Sequence, residues 1–316
     1  MAKAKAITGL DCQANASEWA AEVLRVRFEE MVDWRAAALD FSDIEGVHSM
    51  RVASRRLRSA LRDFLPILDE RPFRRVKKEL KSIADALGAV RDEDVAIAAL
   101  DELVPPAPTG AIRDGLARLI DERRERRAAA RLDLAEAVAV DRLANARERF
   151  FKAIEKASNG KKTDRTVSFN AAGRAAVAAG LDELIELGRG LYDPFDTDAH
   201  HEMRIAAKRL RYALELFVAC WGEALEPFAD EVADLQSALG EVHDCDVWIE
   251  GLTKRLTAAA KGKRFGADDR DAAAWLLLRF VRERTRQYRA SLKIWNRWTT
   301  EDFAANMKAA VQSDGR

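Results

Sequence analysis

The stretch "VHSMRVASRRLRSALRDF" at residues 47–64 holds five arginines and one histidine before its first acidic residue, Asp63. Successive helical residues are about 100° apart, which puts the basic side chains within an arc of roughly 80°. That arc contains His48, Arg51, Arg55, Arg58 and Arg62. An opposite arc of roughly 100° is apolar and contains Met50, Ala53, Leu57, Ala60, Leu61, Phe64 and Leu68. The pattern predicts a helix with one buried face and one stripe of positive charge.

The same pattern returns in the second part of the chain, as "HHEMRIAAKRLRYALELF" at residues 200–217. Two further echoes follow in the same order: "ALGAVRDEDV" with "ALGEVHDCDV", and "RERRAAARLDL" with "RERTRQYRASL". Repeats in a conserved order indicate an internal duplication. The polar segment "ASNGKKTDRT" at 157–166 resembles a linker, so we predict one domain at 1–157 and a second at 158–316.

Helical periodicity dominates both halves. Apolar residues recur at intervals of three and four over 15–40, 44–68, 72–90, 92–103, 110–139, 141–157, 168–191, 199–221, 226–243, 245–260, 269–297 and 300–312. No stretch alternates with a period of two. The sequence therefore predicts an all-α protein of two tandem four-helix bundles related by pseudo-two-fold symmetry. "SDIE" at 42–45 has the spacing of a capping box before the first basic helix.

Global composition predicts no particular partner, because 53 basic and 53 acidic residues give a formal net charge of zero. The three cysteines, Cys12, Cys220 and Cys245, are far apart and form no CxxC pair, which favours reduced thiols and a cytoplasmic location. No apolar run is long enough for a signal peptide or a membrane span, so we expect no membrane association.

The basic stripes are the candidate site. Their charges have one sign, the stripe recurs with its histidine, and most members are arginine, whose planar fork suits phosphate oxygens. The candidate residues are His48, Arg51, Arg55, Arg58, His201, Arg204, Lys208 and Arg211, extended by Arg56, Arg209, Arg124, Arg131, Arg282 and Arg289. If the two halves place both stripes along one groove, a long linear anion would contact both. The alternative is a solvated face, or a stripe paired with acids of neighbouring helices.

Catalytic and metal-binding patterns are absent from the sequence. There is no P-loop, no GxSxG and no HExxH, so we predict no enzymatic activity, no cofactor and no metal. The acids of "RDEDV" and "HDCDV" have two interpretations. In loops, Asp92, Asp94, Asp244 and Asp246 could hold Mg²⁺ and support a phosphohydrolase. We prefer a structural role, in which Asp92 and Asp244 follow a helix end and cap the next helix or pair with a stripe arginine.

Taken together, the two basic motifs and the two "LGxV" echoes resemble the CHAD family, the conserved-histidine α-helical domains, over about residues 15–310. The resemblance implies two four-helix bundles that bind inorganic polyphosphate, in some members at polyphosphate granules. It assigns binding to His48, Arg51, Arg55, Arg58, His201, Arg204, Lys208 and Arg211. The chain has no ExExK motif of the triphosphate-tunnel domains fused to many relatives. The two halves differ at two matched positions, where Arg62 corresponds to Glu215 and Arg91 corresponds to His243. A nucleic acid remains the less favoured alternative ligand, because few aromatics interleave with the stripe.

Overall fold

The fold is known from a computed structural model that describes residues 4–5, 7–260 and 266–313. Part of the N-terminal stretch considered for a signal peptide lies outside these ranges. The helices are α1 (Ala16–Asp33), α2 (Arg35–Leu39), α3 (Ile44–Phe64), α4 (Phe73–Asp101), α5 (Gly110–Ala137), α6 (Val140–Ser158), α7 (Phe169–Leu187), α8 (Thr197–Phe217), α9 (Glu226–Ala260), α10 (Ala267–Thr300) and α11 (Phe303–Gln312). Within these ranges, three short 3-10 helices occur at Gly188–Tyr192, Val218–Cys220 and Gly222–Ala224. No strand occurs in the described ranges, so the all-α prediction is confirmed.

Two compact units make up the chain. The first contains Met1–Ala99 and Glu122–Gly173, and the second contains Leu100–Asp121 and Arg174–Arg316. These units are defined by which residues pack together, and they do not test the repeat in the sequence. The duplication into two four-helix bundles, and its boundary at residue 157, stay predictions.

The core of the first unit is built on phenylalanines. Phe28 of α1 stacks on Phe150 of α6 with ring centroids 5.1 Å apart, and Phe73 of α4 lies 6.2 Å from the same ring. Burial of such large side chains is worth roughly 2–3 kcal/mol each. Helix α3 packs against α1 and α2, where Gly46 is required because a Cβ there would lie 2.0 Å from the carbonyl oxygen of Ala37.

In the second unit, α8 packs on α9, and α9 packs on α10. Trp298 and Phe303 stack with centroids 3.9 Å apart where α10 passes into α11. The indole N–H of Trp221 donates to the carbonyl of Val311 at 3.1 Å. These contacts attach α11 to α10 and to the segment that follows α8.

Both basic helices bury the predicted faces. The seven residues of the predicted apolar face, six in α3 and Leu68 just after it, are at most 4% exposed. Leu210, Ala213, Leu214 and Phe217 of α8 are at most 2% exposed. The amphipathic interpretation of the two motifs is therefore confirmed.

Several helix boundaries were predicted wrongly. The predicted breaks at residues 91 and 244 do not exist, because α4 and α9 run through them as single helices. Conversely, the predicted helix 15–40 ends at Asp33 and restarts after Trp34. The N-cap of α3 is Asp43, whose carboxylate accepts from the N–H of Glu45 at 2.8 Å, instead of Ser42.

Cysteine chemistry differs in part from the prediction. Cys245 is a free and buried thiol, and burial raises its pKa to about 12. Cys12 and Cys220 are disulfide-bonded, so the prediction of reduced thiols is wrong for these two residues. Within the described ranges, no helix combines the length and the apolar character that a membrane crossing requires.

Candidate functional site

A cluster of positive charge forms in the first unit around His48. The side chains of Arg51 and Arg55 on α3, and of Arg91 on α4, all bring charge close enough to act on its imidazole. We call His48, Arg51, Arg55 and Arg91 the first basic cluster, and all four side chains are partly exposed. Burial first, and then the charge of Arg91, lower the pKa of His48 below its ordinary value. The neutral imidazole is therefore favoured, by burial first and then by the neighbouring cations, with Glu45 acting in the opposite direction.

A matching cluster forms in the second unit. His201, Arg204 and Lys208 of α8 meet His243 of α9, and we call these four residues the second basic cluster. The Nδ1 atoms of His201 and His243 are 3.2 Å apart. Burial, then Arg204, then His201 lower the pKa of His243 to about 4. Burial, followed by Arg204 and Lys208, lowers the pKa of His201 as well.

Helix α4 supplies more than Arg91 to the first cluster. Asp92 accepts from Arg51 at 3.4 Å, with the carboxylate side chain 71% exposed. Gly88 lies one turn before Asp92, and a Cβ added there would lie 3.9 Å from Nε of Arg51. The arginine therefore reaches across α4 at a point where the helix carries no side chain. The prediction that Asp92 pairs with a stripe arginine is confirmed, although the helix end postulated before it is absent.

The second acid of each echo has a different role. Asp94 is almost wholly buried and accepts from Arg127 of α5 at 3.2 Å, with Arg131 at 3.9 Å. Asp246 pairs with Arg284 of α10. In both units this carboxylate ties one long helix to the next. No group of three or more His, Cys, Asp or Glu side chains that could hold a metal occurs in the part of the chain that the structure describes.

Two predicted site arginines lie against acids of a preceding helix. Arg56 donates to Glu30 of α1 at 3.2 Å, where the side chains are 12% and 6% exposed. Arg209 pairs with Glu183 of α7. Both pairs span 26 residues. Neither pair is predicted above, although the sequence carries a signal for both: a glutamate at the same distance before the matched arginine in each half.

Arg58 and Arg211 occupy matched positions but differ in environment. Arg58 is exposed, whereas Arg211 is only 8% exposed. Arg211 lies over the ring of Tyr212 at 4.9 Å and has Glu215 one turn later at 3.6 Å. The residue one turn after Arg58 is Arg62, which offers repulsion instead. Expecting Arg211 on the solvent-facing stripe was therefore wrong, and the Arg62/Glu215 departure supplies the reason.

The remaining candidates lie on α5 and α10. Arg124, Arg282 and Arg289 are exposed. Arg131 is partly buried, donates to the carbonyl of Phe41 at 3.5 Å and lies 4.6 Å over the Phe41 ring. The structure thus gathers only part of the predicted set into the two clusters, together with Arg91 and His243, the matched pair that the sequence offers as an extension of the basic face. Binding roles for all fourteen predicted residues stay predictions.

Comparisons with known proteins agree with the CHAD resemblance. The family model of the CHAD domain matches residues 22–253. The uncharacterized proteins Rv2226 and MT2285 of two Mycobacterium tuberculosis strains are each 30% identical over 247 residues, which covers 73% of this chain. The chain spans 44% of the length of these relatives. It therefore belongs to the CHAD domain family.

Solved structures show the same fold. The CHAD domain from the plant Ricinus communis matches with a TM-score of 0.74 and 23% identity, covering 93% of this chain and 96% of that one. PptA from Streptomyces chartreusis matches with a TM-score of 0.67 and 17% identity, covering 90% of this chain and 100% of that one. At these identities the matches establish the fold alone.

Proposed function

We propose that this member of the CHAD family binds inorganic polyphosphate, a long linear polyanion, at its two basic clusters and without catalysis. The family is associated with polyphosphate binding, and each cluster presents the charge that such a ligand needs. Polyphosphate granules are the proposed place at which the protein meets this ligand.

The observation that carries the proposal is that, in each unit, several basic side chains are grouped close to a histidine. In both clusters, burial and then neighbouring cations lower the pKa of an imidazole. Like charges held this close repel one another, and an anion that lies among them relieves the repulsion. Guanidinium groups additionally offer two parallel N–H donors to phosphate oxygens. Binding should release counterions, so the affinity should fall steeply with salt.

Calorimetric titration with long-chain polyphosphate tests the proposal. We compare the wild type, Arg51→Ala/Arg204→Ala, and a control, Arg142→Ala/Lys254→Ala, at two salt concentrations. The control removes the same net charge from exposed positions, because Arg142 is 61% and Lys254 is 74% exposed. We expect the cluster variant to lose at least about tenfold in affinity, and to show a smaller salt slope, while the control changes little.

Two results would contradict the proposal. Absence of binding by the wild type would overturn it altogether. Equal losses in both variants would mean that only net charge matters and that the clusters are not the site. Addition of RNA at equal phosphate concentration separates the nucleic-acid alternative, since we expect RNA to displace polyphosphate poorly.

The absence of catalysis is part of the proposal and has its own test. Asp92, Asp94 and Asp246 each lie against an arginine, which supports a structural use of these acids over Mg²⁺ coordination. We therefore expect no release of orthophosphate when the protein is incubated with polyphosphate and Mg²⁺. Release that disappears in Asp92→Asn or Asp244→Asn would favour the phosphohydrolase instead.

A further inference from the structure

The second basic cluster contains a direct contact between two imidazoles. The Nδ1 atoms of His201 and His243 lie at hydrogen-bond distance, 3.2 Å, and the ring centroids are 4.5 Å apart. Such a bond forms only if one Nδ1 carries hydrogen and the other does not. In a neutral pair, the ring that donates through Nδ1 then has a bare Nε2, which is a hydrogen-bond acceptor.

One added proton changes what the pair offers to an anion. If the donating ring takes up a proton at its bare Nε2, the bond between the two Nδ1 atoms stays intact. Both rings then carry an Nε2–H, and the pair has one positive charge. A second proton would place N–H against N–H at the shared bond. The arrangement is therefore suited to a single proton, which converts a repelling lone pair into a donor for a phosphate oxygen.

Charged groups around the pair decide its state in the unbound protein. Arg204 and Lys208 of α8 disfavour the added proton at both rings. On α8 the carboxylates of Asp198 and Glu202 favour it at His201. Asp246 of α9 favours it at His243, but that carboxylate is engaged by Arg284 of α10. Burial is the largest influence on both pKa values, and together with the neighbouring charges it lowers that of His243 to about 4. The unbound pair is therefore neutral at pH 7.

The first basic cluster lacks this property. The residue matched to His201 is His48, but the residue matched to His243 is Arg91, whose charge is permanent at any pH compatible with folding. Arg91 stands close enough to His48 to lower its pKa. The matched position therefore has different chemistry in the two clusters. Arg91 gives the first cluster a fixed charge, whereas His243 gives the second cluster a pair of imidazoles that can titrate.

From this geometry we propose that His201 and His243 form a phosphate subsite that takes up one proton from solvent when the polyanion binds. The inference rests on the proposed function and adds its regulation. The affinity of the second cluster for polyphosphate rises as the pH falls, whereas the contribution of Arg91 to the first cluster does not change with pH. The proton adds to a ring nitrogen and is returned to solvent on release, so no other bond changes.

Titration calorimetry in two buffers of different ionisation enthalpy, at the same pH, measures the protons taken up. The probe is polyphosphate of several hundred units, so that its titrating end groups are negligible, and dextran sulfate serves as a second polyanion without titrating groups. The proteins are the wild type, His243→Arg and Arg91→His. The two substitutions place at each of the matched positions, 91 and 243, the residue type that the other position has. Circular dichroism confirms that each variant is folded.

We expect the wild type to take up protons near pH 6.5 with both polyanions, and its affinity to rise several-fold between pH 8 and pH 6. His243→Arg should bind more tightly at pH 8 and take up fewer protons, because its charge is already present. Arg91→His should bind more weakly at pH 8 and take up more protons.

The outcomes separate the two claims. Tight binding with equal proton uptake in the wild type and His243→Arg would overturn this inference and leave the proposed function standing. No binding by the wild type at any pH would overturn both. As a check that does not depend on a variant, NMR titration of the wild-type histidines should show the pKa of His201 or His243 rising when polyphosphate is added, and unchanged pKa values for both would also overturn the inference.

Discussion

The guanidinium of Arg56 donates to the carboxylate of Glu30 at 3.2 Å, and Glu30 is almost wholly buried. The same carboxylate accepts from Arg27 at 2.7 Å, so α1 and α3 are joined by a small internal ion-pair network. The matched pair in the second unit, Arg209 and Glu183, joins α8 to α7. Part of the arginine content of each basic helix is therefore used to attach the helix to its neighbour.

Replacing Arg56 should cost stability. In Arg56→Ala, Glu30 loses one of two cationic partners in a buried position, which we expect to lower the free energy of unfolding by about 1–3 kcal/mol. Urea denaturation measures the change. Arg58→Ala is the matched control, because Arg58 is exposed two residues later, and it should change stability by less than about 0.5 kcal/mol. Equal effects of the two substitutions would contradict the structural role of Arg56.

Removing Asp92 should strengthen anion binding. Its carboxylate pairs with Arg51 and competes with phosphate oxygens for the same guanidinium. Because the pair is exposed, Asp92→Asn should change the free energy of unfolding by no more than about 1 kcal/mol. We expect it to raise polyphosphate affinity several-fold in a calorimetric titration. Asp85→Asn, which removes an exposed acid of α4 paired with Lys81, controls for net charge, and an equal gain there would refute the explanation.

The neighbouring acid of the same helix should behave in the opposite way. The Asp94 side chain is 1% exposed and accepts from Arg127, so Asp94→Asn removes the negative charge that faces the partly buried guanidinium of Arg127. We expect a loss of about 2–4 kcal/mol in the free energy of unfolding, measured by denaturant titration. A loss no larger than that of Asp92→Asn would show that the pair contributes little net stability.

Stability should also depend on pH through His243. Its folded pKa is about 4, against 6.5 for the free side chain, so the unfolded chain takes up the proton first as the pH falls. The stability contribution of the neutral ring is complete above about pH 6.5 and is lost as the pH falls toward about 4. Thermal unfolding of the wild type and of His243→Gln between pH 8 and pH 4 tests this. The wild-type Tm should fall more than that of the variant, and parallel curves would argue against it.

The helical fold was accessible from sequence because helical amphipathicity is local. Met50, Leu57 and Phe64 recur at the helical period, and all three are buried as predicted. The breaks placed inside α4 and α9 show where local reasoning failed. Gly88 reads as a helix terminator in "LGAVRD", yet it stands in mid-helix, where it lies against the side chain of Arg51. A single sequence does not show such a contact between helices.

By itself, the sequence determined the all-helical class, the buried face of each basic helix, the doubled charge pattern and the family. Those features depend on residue spacing within one helix, which the period of the backbone fixes. Only the tertiary structure decided how the individual charges are used. Arg56 meets Glu30, Arg211 turns inward to Glu215 and Tyr212, and His243 meets His201. The pairings of Arg56 and of His243 join separate helices, because the partner of such a side chain is set by the helix that packs beside it.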